Sequence, residues 1–109
     1  MMQIQDLQKR MNHVGQTIHH AAEVCNATSD VPTDLKQCIQ EMDQQSEQAT
    51  QMMQQTQDED TVIDCVERLE ELSDQARDAC EQAGDIDGEL RTAVMQAHQE
   101  LSDLKKQLH

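Results

Sequence analysis

Residues 4–25 read IQDLQKRMNHVGQTIHHAAEVC, and within them Ile4, Leu7, Met11, Val14, Ile18, Ala21 and Cys25 recur at steps of three and four. That spacing lays the apolar side chains along one stripe of an α-helix, close to the narrow seam of a coiled coil. Gly15 inside the stripe weakens the helix, since glycine costs about 1 kcal/mol relative to alanine there. The turn formers of NATSDVP, with Pro32, predict that the helix stops near Ala27.

Working outward, Thr33 or Asp34 can cap a second helix carrying Leu35, Ile39, Met42, Ser46, Ala49 and Met53, with Cys38 at the edge of that face. At 54–61 the apolar phase changes without Gly or Pro. Thr56 followed by Glu59 resembles a capping box, and Asp58 or Asp60 could also cap. A tight turn is the expected reading, with one continuous helix as the alternative. A third stripe runs through Val62, Cys65 or Val66, Leu69, Leu72, Ala76 and Cys80. Gly84 is placed to terminate it, and Asp85 or Asp87 to open a fourth helix bearing Leu90, Ala93, Val94, Ala97, Leu101, Leu104 and Leu108.

The absence of Phe, Trp and Tyr and the single Pro fit this all-α reading, because sheets draw on aromatic and β-branched residues. Apolar volume must come from aliphatic residues and seven Met. Small residues such as Ala21, Ala49, Ala76 and Ala97 would let helices approach closely, with Met42, Met52, Met53 and Met95 filling gaps. Displacing the chain by fifty-five residues sets Cys25 on Cys80, Asp30 on Asp85 and Val31 on Ile86, a weak internal repeat. One domain over 1–109 is expected. It would be an antiparallel up-down-up-down four-helix bundle built from two similar hairpins, about 1–56 and 57–109.

Twenty-two acidic residues against eight Lys and Arg leave a formal charge of −14. Phosphate contacts need cations and base stacking needs aromatics, so nucleic acid is not an expected partner. An anionic membrane surface is disfavoured likewise. Between Asp58 and Glu89 stand thirteen acids and only Arg68 and Arg77 as bases. A basic protein partner would therefore meet the third helix, around Asp64, Glu67, Glu70, Glu71, Asp74 and Asp78. No stretch approaches the roughly twenty apolar residues of a membrane span, and MMQIQDLQKRMNHV lacks the apolar run of a signal peptide. A cytoplasmic location is the expectation, and a homodimer is compatible with two hairpins per chain.

The chemistry-bearing residues form no strong motif. Cys65 and Cys80 lie about 22 Å apart on one helix and cannot bridge. Cys25, Cys38 and Cys80 fall toward one end of the bundle, and a Cys25–Cys38 disulfide or thiol site across the first turn is geometrically accessible. A reducing compartment would keep those thiols free. No CxxC spacing points to structural zinc, and packing of small apolar side chains explains Cys25 and Cys80 most simply.

His13, His20 and His98 read as surface residues, and no two histidines stand one helical turn apart as metal ligands. His19 and His20 precede Glu23 by four and three residues, which allows a local polar contact. In GDIDGEL a calcium loop would require carboxylates at Ala83 and Val94, so the segment is a turn. NAT at 26–28 is a sequon found easily by chance. No metal, cofactor or catalytic residue is assigned.

These readings predict a small acidic, non-enzymatic bundle acting through protein contacts, in a structural, adaptor or regulatory role. The alternative is a thiol-based redox or soft-metal protein using Cys25, Cys38 and Cys80.

Overall fold

The structure, a computed structural model, describes residues 3–55 and 58–108, with only the backbone of Ile4. Its elements are α1 (Ile4–Ala27), α2 (Thr33–Gln55), α3 (Glu59–Ala83) and α4 (Gly88–Leu108). Each packs lengthwise on its two neighbours, α1 on α2, α2 on α3, α3 on α4 and α4 back on α1. Connections of three to five residues force neighbours to run antiparallel, giving an up-down-up-down bundle. The bundle measures 41 × 22 × 18 Å. Its long axis matches the roughly 36 Å of a 24-residue helix.

The helix ends follow from local chemistry. Asp30 takes the left-handed conformation (φ 64°) between α1 and α2, a shape Asp tolerates better than most residues. Thr28 returns its hydroxyl to the Val24 carbonyl at 2.7 Å, satisfying one of the last acceptors of α1. The Pro32 carbonyl accepts the first α2 bond, from Lys36 N–H at 3.0 Å. Thr33 is thus already helical rather than a cap.

Asp58 is the cap of α3: its carboxylate accepts from Asp60 N–H at 3.2 Å and from the Thr61 hydroxyl at 3.0 Å. The capping box expected at Thr56 lies outside the described residues. Gly84 ends α3 with φ 74°, and Arg91 donates to its carbonyl. The α2–α3 join is a reversal, because the two helices pack side by side. Thr28 Oγ1 reaches Asp87 Oδ2 at 3.4 Å, placing both hairpin turns at one end. At the other end, Gln8 donates to the Met53 carbonyl at 2.7 Å and Arg10 to Gln107 at 2.6 Å.

The four stripes meet in one core. Met11, Ile18, Leu35, Ile39, Leu69, Leu90, Leu101 and Leu104 are the large side chains wholly removed from water there. Burial of each contributes about 1.5–3 kcal/mol against the entropy of ordering the chain. Val66, not Cys65, holds the ambiguous position in the third stripe. Met52 differs from expectation: it is 40% exposed, with Cys65 Sγ 3.8 Å from its sulfur, because its neighbour Met53 points inward instead. Among the described residues, no helix is long and apolar enough to cross a membrane.

Candidate functional site

Helix α3 divides its acids between two faces. Asp64, Glu71 and Asp78, spaced seven apart, are exposed along its outer side. Glu67 and Asp74 are half-buried beside them. Glu70, grouped with these acids from sequence alone, turns inward instead: it is 9% exposed and pairs with Lys105 Nζ of α4 at 3.4 Å. It sits one residue after core Leu69 and one helical turn before core Ser73, which rotates it toward α4.

Asp74 also faces α4, where it meets His98. The His98 side chain is only 14% exposed, contrary to the surface position expected of it. Its Nδ1 stands 3.2 Å from Asp74 Oδ1 and 3.1 Å from Ser73 Oγ, and its Nε2 3.1 Å from Arg77 Nη1. Ser73 spends its proton on the Glu70 carbonyl at 2.7 Å, so its oxygen accepts. Arg77 can only donate. A neutral His98 therefore carries its proton on Nδ1, shared by Ser73 and Asp74, and receives Arg77 at Nε2.

The residue types suggest a Ser-His-Asp relay, but the geometry does not supply one. Ser73 and Asp74 occupy the same ring nitrogen, whereas a relay needs the nucleophile and the acid on opposite nitrogens. Ser73 is also fully buried, leaving no room for a substrate. The cluster is a polar clasp between α3 and α4, with Arg77 Nε buried and without a partner among the described residues.

A second polar cluster lines an open groove of about 590 Å³ between α1 and α2. His19 Nε2 pairs with Glu23 Oε1 at 2.9 Å, the local contact expected from their spacing. Its Nδ1 faces α2, 3.4 Å from both oxygens of Asp43. The hydrogen bond and charge of Asp43 hold the His19 pKa above its ordinary 6.5. Glu47 lies one turn beyond Asp43 on the same wall. At the floor, Gly15 backs onto Ser46, whose Oγ would stand 2.9 Å from a Cβ at position 15. Ser46 is 3% exposed and lines the groove.

No protein-family model, curated protein or solved structure matches the chain.

All four cysteines are unbridged, with Cys25, Cys38 and Cys80 buried and Cys65 half-buried. Cys25 and Cys80 lie near the C-terminal ends of α1 and α3, each among core residues. The Cys38 thiol donates to the Leu72 carbonyl at 3.1 Å. Burial pushes the Cys38 thiol up to about 11, helped by Glu41 and Cys80. Burial also raises Cys25, Cys80 and Cys65. Cys38 is raised by Cys80 and Cys80 by Cys25, so three thiols do share one end of the bundle. Raised pKa values starve all four of thiolate, the form that attacks or ligates.

Asp43 as a partner of His19, and Ser73 and Arg77 as partners of His98, leave no motif in the sequence, since each pair joins different helices. The one signal available was Ser46, a polar residue on an otherwise apolar stripe.

Proposed function

We propose that the chain is a non-enzymatic bundle that acts through protein contacts, with the outer face of α3 meeting a basic partner. The observation that carries this reading is the exposed file Asp64, Glu71 and Asp78, extended by Asp60 and Glu81. Of the two α3 cations, Arg77 divides its guanidinium between His98 and Asp78, the latter at 3.4 Å, and Arg68 is exposed, so two cations stand against these five acids. Aligned carboxylates of one sign steer a cationic partner and set its register more than they add raw affinity. Burial of the thiols and their raised pKa values weigh against a redox or soft-metal role for Cys25, Cys38 and Cys80. Unbridged thiols suit a reducing, cytoplasmic setting. Met52 is the one large exposed hydrophobic side chain among the described residues, which favours a monomer over a homodimer.

The test is a backbone NMR titration with an Arg- and Lys-rich peptide near physiological salt. Wild type is compared with a variant carrying Asp64→Asn, Glu71→Gln and Asp78→Asn. Shifts should concentrate on the outer face of α3, and the variant should bind about tenfold more weakly, from roughly 0.5 kcal/mol per exposed charge. Shifts spread evenly over all four helices, or an unchanged affinity, would remove this face as the docking surface.

A further inference from the structure

We propose that the groove between α1 and α2 binds a divalent first-row transition ion through His19 Nδ1, Asp43 and Glu47. This site is independent of the α3 surface. One ligand atom from each of the three residues lies within 4.8 Å of the others. Nδ1 is 3.4 Å from both Asp43 oxygens, which is long for a charged hydrogen bond, normally about 2.7–2.9 Å. It matches the ligand-to-ligand edge of about 3.4 Å in a tetrahedral shell with bonds near 2.1 Å.

The surroundings are those of a metal-binding histidine. His19 presents its other nitrogen to Glu23 at 2.9 Å, the outer carboxylate that commonly fixes ring tautomer and orientation at such sites. Glu23, Asp43 and Glu47 bring three carboxylates to one groove wall or rim, and among the described residues His19 and His20 are the only basic side chains lining it. Beneath them the hydroxyl of Ser46, a residue only 3% exposed, faces the groove where Gly15 lacks a Cβ. It is placed to bond a water on the ion. One imidazole with two carboxylates leaves positions for water and suits zinc-like ions better than magnesium, which prefers oxygen alone.

Glu70, Asp74 and His98 form a comparable trio by distance. There the chain supplies its own cations, with Lys105 on Glu70 and Arg77 on His98, so an ion would have to displace both.

Zn²⁺ is the probe, titrated calorimetrically into the full chain, with ring-proton NMR on the same samples. Binding should saturate at one ion per chain, shift the ring signals of His19 and leave those of His98 in place. His19→Gln and Asp43→Asn should each weaken binding at least tenfold. Glu23→Gln, which removes a positioning residue, should weaken it about ten- to hundredfold. His19 and Glu23 are exposed and Asp43 is half-buried, and helical circular dichroism checks that each variant folds. Co²⁺ on the wild-type chain gives a second readout, expected to show no thiolate charge-transfer band. Absence of saturable 1:1 Zn²⁺ binding, unchanged binding in His19→Gln, shifts centred on His98, or a cobalt–thiolate band would each overturn the site.

Discussion

Gly15 sits in the middle of α1, where a helix gains about 1 kcal/mol from replacing glycine by alanine. The groove opposes that gain, because the new Cβ would stand 2.9 Å from Ser46 Oγ, about half an ångström inside ordinary contact. Relief requires Ser46 to rotate its hydroxyl within a helix that allows few χ1 wells, or α1 and α2 to separate slightly. Gly15→Ala alone should therefore leave stability within about 0.3 kcal/mol of wild type, the propensity gain being consumed by the contact. Ser46→Ala alone removes a hydroxyl that opens on the groove and installs a better helix former, so it should be neutral to about 0.5 kcal/mol stabilising. In that background Gly15→Ala should recover its full gain of about 1 kcal/mol, a coupling of at least about 0.7 kcal/mol. Urea unfolding followed by helical circular dichroism measures all four proteins, with a constant m-value as the check that compactness is unchanged. Additivity within about 0.3 kcal/mol would refute the close approach of α1 and α2 at this point.

Two further outcomes follow from the buried polar groups. The folded chain holds the Cys38 proton to about 11, against 9.0 for an ordinary thiol. Its contribution is thus complete below pH 9 and is lost as pH rises from 9 to 11, about 3 kcal/mol in all. Urea midpoints taken at pH 8, 9.5 and 10.5 should fall steeply in wild type and distinctly less in Cys38→Ala; parallel slopes would contradict the assignment. His98→Ala strips partners from Asp74 and Arg77 at the α3–α4 seam and should cost about 2 kcal/mol in the same assay. A loss below about 0.5 kcal/mol would mean the clasp contributes little.

Much of this molecule is legible in local pattern. The stripes from Leu7 to Cys25, Leu35 to Met53, Val62 to Cys80 and Leu90 to Leu104 are its core, since the helical period is a property of neighbouring residues. The stops near Ala27 and at Gly84 are equally local, each made by residues that leave the helical conformation cheaply. Met52 and Met53 show the limit, because two adjacent methionines cannot both face inward and composition does not say which will.

The polar sites belong to another level. His19 and Asp43 are 24 residues apart, and His98 stands 21 to 25 residues from Arg77, Asp74 and Ser73. No helical period relates residues on different helices. Their meeting depends on how far each helix is rotated and slid along its neighbour, which side-chain packing over the whole core settles. Glu70 and Glu71 make the point within one helix: adjacent and chemically alike, one is buried against Lys105 and the other faces water. Sequence alone determined that amphipathic helices form and that they stop near Ala27 and Gly84, whereas the reversal between α2 and α3 was decided by their packing. Only the tertiary structure decided which acids became surface, which became clasp, and which histidine came to face carboxylates across a groove.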